Sequence, residues 1–381
     1  MTTEDTYLIL YCFLLPFARK ALTLHDVKRN TKNIMKKLYP LLFQPNLHTL
    51  VWGGERICSY KGLNEQLDHI GESWEVSAVP TSKSIVSNGE WAGRDLVSVV
   101  DEMPDEILGK AVNKRYNGKM PLLVKFIDSD KPLSIQVHPN DEMAMREHGK
   151  SGKTEMWYVI DAQPGSYLYA GFKQEITPEE YKRRVADGTI TDVLAKHEVK
   201  RGDVFYLPAG RVHAIGSGIL LTEVQQSSDV TYRIYDYNRP GLDGKPRELH
   251  TELAAKALNF HVEEEYRTIY REENNSANLV IDSPYFSVRV TNVSHPFHRN
   301  LLKYDSFIIS VCIQGDCIIK IRSTGDEIRL RSGNSCLIPA AIADYDVEPL
   351  NGSSTILDAF IDNKDRSVGH MITRFLHLSS R

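Results

Sequence analysis

Four polar side chains in this 381-residue sequence are of types that bind metal ions, and their spacing suits a shared ion. Gln136 and His138 lie two apart in LSIQVHPND. On a β-strand, residues i and i+2 face the same way, so both can enter one cavity. Glu155 opens the next run of strand-forming residues, EMWYVI, and a hairpin-like return would set it beside that pair. His213, in GDVFYLPAGRVHAIG, follows the turn residues Pro208 and Gly210 into another strand. Two imidazoles, one carboxylate and one carboxamide offer nitrogen and oxygen donors without thiolate. Such a set fits a catalytic divalent ion with open positions rather than a structural cysteine-rich zinc site. Donor softness alone does not separate zinc from iron, manganese, cobalt or nickel.

Positioning those groups falls to a β-rich scaffold. From Leu38 onward, short apolar or β-branched runs alternate with turn residues, as in FQPNLHTLVWGGE, SWEVSAVP and KSIVSNGEWAG, which predicts an all-β barrel or sandwich. Helical interludes are predicted at 95–111, 177–197 and 247–260. The second opens with Thr177 as N-cap, Pro178 at the first helical position and Glu180 three residues after the cap, a capping-box pattern. The residues between QVHPND and GKTEMWYVI read as a short polar bridge. The polar stretch 261–275 reads as a linker.

These features predict an N-terminal extension at 1–37, a catalytic domain at 38–260 with a helical insertion, and a C-terminal domain at 276–381. A weak repeat relates the two domains. Gly202, Pro208, Gly210 and His213 recur in spacing as Gly333, Pro339, Ala341 and Asp344. The second copy keeps the turns and loses the ligand.

Composition narrows the partners. A net charge of −4 and a pI near 6.4 give no basic footprint, so nucleic acid is not an expected partner. A phosphorylated small molecule needs only a local basic pocket. Five scattered cysteines with no CxxC pair fit a reducing, cytoplasmic compartment. The apolar run 6–17 is shorter than the roughly 20 residues a spanning helix needs. It follows Glu4 and Asp5 rather than basic residues, and no small-residue cleavage motif comes after it. Met35 followed by two lysines has the look of a start, so residues 1–34 are expected to have no part in the chemistry and no membrane is expected. The sequence sets no oligomeric state.

Gly-x5-Pro-x-Gly-x2-His, joined to the upstream Gln-x-His, matches the two motifs of the cupin barrel, with Gln136 standing for the usual leading histidine. Over about 38–375 the chain resembles type I mannose-6-phosphate isomerases in their shorter bacterial form. PLLVKFIDSDKPLSIQVHPND, GKTEMWYVI, GDVFYLPAGRVHAIG and EVQQSSDVTYRIYDYNR carry the resemblance, supported by WGG at 52–54 and GESWEVS at 71–77. The resemblance implies a mainly-β chain of two cupin (jelly-roll) β-barrels with a small helical insertion. It implies one Zn2+ per chain, held by Gln136, His138, Glu155 and His213, and interconversion of mannose 6-phosphate and fructose 6-phosphate through an enediol. It assigns catalytic positions to Arg233, Lys153 and Glu223, and substrate-binding positions to Ser134, Lys125 and Arg239. The longer enzymes of the family carry a larger helical domain and a different sequence after the arginine.

Aldose–ketose isomerisation moves a proton between C1 and C2, so it needs a group to take and return that proton and a means of stabilising the enediolate oxygen. Arg233 offers a permanent charge and a fork of donors. The strand period puts Ser134 on the face of Gln136. Lys125 and Lys153 suit phosphate binding or, with a depressed pKa, proton transfer. Trp52, Trp74 and Trp157 read as core. The rival readings are a non-catalytic, metal-containing sugar-binding cupin and an isomerase of an unphosphorylated sugar.

Overall fold

The computed structural model of this chain describes residues 37–364. The first 36 residues of the expected N-terminal extension, Cys12 among them, lie outside that span. Strands come in chain order as β1 (Leu41–Leu42), β2 (Leu47–Gly54), β3 (Ile70–Val76), β4 (Leu122–Ser129), β5 (Ile135–Val137), β6 (Glu155–Ala162), β7 (Tyr167–Phe172), β8 (Leu194–Glu198), β9 (Val204–Leu207), β10 (His213–Ile215), β11 (Ile219–Gln226) and β12 (Tyr232–Tyr235). All but β1 form two antiparallel sheets, ordered β2-β3-β4-β11-β6-β9 and β12-β5-β10-β7-β8. The inner faces meet in one core. Ile127, Trp157, Val159, Phe205 and Leu221 of the first sheet pack with Leu168, Ala170 and Ile215 of the second.

The alternation along each strand decides what points inward. In β5, Ile135 and Val137 face outward into a second core, where Tyr181 of helix Pro178–Ala186 and Ala254 of helix Thr251–Ala257 cover the sheet. Gln136 is therefore left facing the space between the sheets. The strands β4 and β11 are buried at every position. Their polar residues, Lys125, Asp128, Ser129, Thr222, Glu223, Gln225 and Gln226, are buried within otherwise apolar strands. Burying such groups costs free energy unless each finds a partner.

The second half repeats the plan. It contains β13 (Asn278–Asp282), β14 (Ser287–Val293), β15 (Phe297–Asn300), β16 (Ile308–Gln314), β17 (Cys317–Ile321), β18 (Glu327–Leu330), β19 (Asn334–Ile338), β20 (Asp344–Pro349) and β21 (Ser354–Phe360). These form the sheets β1-β19-β16-β21-β14-β13 and β15-β20-β17-β18. The mainly-β expectation holds, although the described sheets do not close into continuous hydrogen-bonded barrels. The repeat seen in the sequence has a structural counterpart. β9 leads through a turn to β10 in the smaller sheet of the first half, and β19 leads through a short 3-10 turn, Ala340–Ile342, to β20 in the smaller sheet of the second. Gly202 and Gly333 open the two copies at φ values of 87° and 75°, a left-handed backbone that favours glycine. β1 precedes all the strands of the first half yet pairs with β19, Leu41 opposite Leu337, so chain order and sheet membership part company there.

Helices depart from the sequence reading in several places: the interlude read at 95–111 is three short helices, Leu96–Glu102, Pro104–Leu108 and Lys110–Tyr116, and Arg56–Tyr60 is a helix that was not read. The expected helix at 177–197 ends at Ala186, and its last part is β8, which pairs with β7. Thr177 does cap the helix, accepting from the Glu180 amide at 3.1 Å, but the Glu180 carboxylate turns to Arg184 at 2.8 Å instead of returning to the cap. The polar bridge after QVHPND is a helix, Asp141–His148, capped by Asn140, whose side chain accepts from the Met143 amide at 2.9 Å. The third helix is shorter than read, Thr251–Ala257.

One buried contact joins the two halves. Lys61 Nζ donates to Glu75 Oε1 at 2.6 Å and to the Gly333 carbonyl at 3.0 Å, while Ser335 Oγ donates to Glu75 Oε2 at 3.0 Å. Both charged residues are 6% exposed. Lys61→Met leaves the Glu75 carboxylate without its cation, a loss of about 3 kcal/mol. The expected result is a melting temperature lower by roughly 6–12 °C, with room-temperature activity retained. An unchanged melting curve would show that the pair does not hold the halves together.

Candidate metal centre and active site

The inward faces bring the four candidate ligands together. His213 at the start of β10 lies opposite Gln136 of β5, and Gln136 lies opposite Arg233 of β12, a row across three strands. From the facing sheet Glu155 opens β6, with Gln225 and Leu207 as its cross-strand neighbours. His138, Glu155 and His213 are essentially unexposed, and their donor atoms lie within 4.8 Å of one another. Glu155 Oε2 is 3.3 Å from His138 Nε2, and Oε1 is 3.2 Å from His213 Nε2. Gln136 Nε2 is 3.3 Å from His213 Nε2, and turning the amide over would present its oxygen there.

The hydrogen bonds behind the ligands fit a cation. His138 Nδ1 donates to the Val230 carbonyl at 2.9 Å, and His213 Nδ1 donates to the Arg211 carbonyl at 2.8 Å. Each bond fixes the tautomer, so each Nε2 turns a lone pair toward the Glu155 oxygens. Acceptors facing acceptors need a positive charge between them. Lys153 Nζ supplies part of it, lying 3.0 Å from His138 Nε2 and donating also to Glu155 Oε2. Glu155 Oε1 is buried with no hydrogen-bond partner. That orphaned oxygen and the two inward Nε2 atoms are what a metal site would supply.

Titration behaviour follows from the same crowding. Burial and the Lys153 charge push the His138 imidazolium down to about 3, so the ring is neutral and ready to ligate at physiological pH. Burial likewise lowers His213. Burial alone would raise Glu155, but the Lys153 ammonium together with His138 and His213 more than reverses this and holds the carboxyl well below its ordinary range.

Beside the ligands opens a cavity of about 280 Å³. Its wall includes Ser134, Gln136, Lys153, Lys125, Glu223 and Arg233. A cross-strand row through Trp74, Lys125, Glu223 and Trp157 supplies one side. Lys125 Nζ lies 3.4 Å from both Glu72 and Glu223, and 4.9 Å from the centre of the Trp74 ring. Trp157 Nε1 donates to Glu223 Oε2 at 2.9 Å, leaving Oε1 buried without a hydrogen bond. Burial first, then the nearby Glu155 carboxylate, raise the Glu223 pKa. A buried carboxyl shifted upward in a cleft is a candidate proton-transfer group. Arg233 Nη1 donates to the Glu248 carbonyl at 2.9 Å, while its buried Nε has no hydrogen-bond partner.

One sequence expectation changes here. Arg239 is outside the cavity wall, with Nε and Nη2 both on Asp236 Oδ1. Arg247 lines the cavity instead. Of the tryptophans read as core, Trp52 and Trp157 do belong to the core between the sheets, and all three also line the cavity, where Trp74 and Trp157 orient carboxylates through Nε1. Sequence reasoning missed Glu72 and His48. Glu72 shares a strand face with Trp74 in GESWEVS, which was the available signal.

Comparison with known proteins agrees with this arrangement. Residues 41–175 match the family model for the catalytic domain of type I phosphomannose isomerase, and residues 275–356 match that for the cupin domain of mannose-6-phosphate isomerase. The chain is 35% identical over 312 residues to a mannose-6-phosphate isomerase of Bacillus subtilis, covering 81% of this chain and 96% of that protein. It is 32% identical to the mannose-6-phosphate isomerase of Streptococcus mutans, covering 80% of this chain and 94% of that one. The crystal structure of a Bacillus subtilis mannose 6-phosphate isomerase superimposes with a TM-score of 0.74 at 29% identity, over 84% of this chain and 99% of that one.

Proposed function

We propose, on the premise that this chain belongs to the type I phosphomannose isomerase family, a division of labour among the cavity residues for the interconversion of mannose 6-phosphate and fructose 6-phosphate. The chain is a metal-dependent sugar-phosphate isomerase of that family. The observation that carries the reading is one cavity in which a nitrogen and oxygen ligand set meets Lys153, Glu223 and Arg233.

Gln136, His138, Glu155 and His213 would hold one ion, and zinc is the proposed one. When bound, it supplies Lewis-acid polarisation of the substrate oxygens. Glu223 exchanges the proton between C1 and C2 through Oε1, which takes no hydrogen bond among the described residues and lies 3.4 Å from Lys125 Nζ, helped by a raised pKa. Lys153 Nζ donates to a sugar oxygen beside the ligands. Arg233 stabilises charge developing on the enediolate through its free donors. Ser134 and Lys125 line the substrate's path. Residues 38–260 form the catalytic part and residues 276–364 the degenerate cupin part, the remainder of the expected 276–381 domain lying outside the described residues. Among the described residues no helix is long and apolar enough to cross a membrane, and a cytoplasmic setting suits the free, buried cysteines Cys58, Cys312, Cys317 and Cys336.

Purified protein with metal content measured should convert mannose 6-phosphate in an assay coupled to fructose 6-phosphate, and should lose that activity on chelation. Mannose at the same concentration should react roughly 10–100-fold more slowly, since a charge-assisted phosphate contact contributes about 1.5–3 kcal/mol. Equal rates for the two sugars would overturn the phosphate reading. Metal bound without turnover would favour a sugar-binding role.

A further inference from the structure

We infer that Arg247, held side-on by Asp236, is the residue that takes the substrate phosphate, at the end of the cavity away from the metal ligands. The inference rests on the sugar-phosphate reading above and names the group that sets its specificity.

The chain after β12 folds back along that strand. The His250 amide donates to the Arg233 carbonyl at 2.7 Å, and Arg233 Nη1 donates to the Glu248 carbonyl. This return carries Arg247 to the cavity wall. Its Nε donates to Asp236 Oδ2 at 2.6 Å and its Nη2 to Asp236 Oδ1 at 2.7 Å. A guanidinium has five N–H donors, and this side-on pairing uses two of them. The outer edge, with one hydrogen on each terminal nitrogen, stays available, and it matches two oxygens of a phosphate.

Charge supports the same assignment. Asp236 is 5% exposed and also accepts both donors of Arg239, at 3.0 and 2.8 Å. Arg233 lies within the field of both arginines. One buried carboxylate therefore serves three guanidinium groups, while Glu248, a further acid acting on Arg233, is 83% exposed and solvent-screened, and Asp229 on the cavity wall is paired with Lys150. The excess of positive charge faces a cavity whose opposite side carries Glu72 and Glu223. Position agrees too. Arg233, Gln136 and His213 form one cross-strand row, roughly 10 Å long at normal strand spacing, and Arg247 lies on the segment beyond Arg233. A six-carbon sugar with C1 and C2 at the ligands reaches toward that end with its 6-phosphate.

The test uses the metal-loaded enzyme and two probes, mannose 6-phosphate as substrate and inorganic phosphate as competitive inhibitor. Arg247→Met should raise KM for mannose 6-phosphate and Ki for phosphate together by about 10–100-fold. The value of kcat should stay within threefold, and slow turnover of mannose should be unaffected. Arg247→Lys should fall between the two, because a point charge replaces a fork. Asp236→Asn, which frees Arg247, should weaken phosphate in the same direction. An unchanged Ki for phosphate in Arg247→Met, or in Arg247→Lys where the first variant does not fold, overturns the inference. So does a lower kcat at unchanged KM. Absence of mannose 6-phosphate turnover in the unsubstituted enzyme is a separate result, which removes the underlying reading first.

Discussion

Replacing Glu155 with glutamine will strip the metal and reduce turnover by at least ~10³-fold, since the ion is expected to contribute several kcal/mol to the reaction. Glu155 is the only carboxylate in the ligand set and is fully buried, with one oxygen toward each histidine. Glutamine keeps the volume and removes the charge. It also leaves the Lys153 ammonium, itself 5% exposed, beside a neutral amide. An unpaired buried charge costs about 3–5 kcal/mol, so the variant should melt earlier as well. Lys153→Met in the same chain separates the two effects. The double variant should recover stability while remaining inactive, a non-additive pair of the kind that neighbouring charges give. Metal content measured on the purified single variant decides the ligand assignment, and full occupancy would remove Glu155 from it.

Much of this centre was legible because a strand alternates. Gln136 and His138 share a face by period alone, and Pro208 and Gly210 marked the strand that delivers His213. Local rules also placed the Thr177 cap. What stayed hidden depended on contacts distant in sequence. Residues 194–197 read as the end of a helix until pairing with β7 claimed them as a strand, a tertiary override of local propensity. Helix Asp141–His148 was missed because it buries little beyond Met143 and Ala144 and so shows no apolar period. The tryptophans looked like core because their size and burial are those of core residues, while their indole N–H donors to Glu72 and Glu223 are tertiary facts. Arg239 and Arg247 could not be ranked from sequence. Both reach Asp236, and only the return of the chain along β12 determines which of them faces the cavity.

Arg233→Ala will separate chemistry from metal binding. Arg233 sits opposite Gln136 in the β5–β12 pairing, and its side chain hydrogen-bonds the Glu248 carbonyl rather than a ligand, so the metal should remain at full occupancy. Its loss removes a single side-chain hydrogen bond to a backbone carbonyl, which predicts little change in melting. The effect should fall on kcat, by roughly 10²–10³-fold, the usual cost of deleting one preorganised donor from a site of developing negative charge. Phosphate affinity should change little, in contrast to Arg247→Met, because Arg233 is assigned to the enediolate and Arg247 to the substrate phosphate. Free guanidinium added to the alanine variant should restore part of the rate, since a buried slot with no Nε partner is left in the wall. Loss of metal together with activity would make Arg233 a structural support of the ligand strand. Unchanged turnover with metal retained would take it out of the reaction altogether.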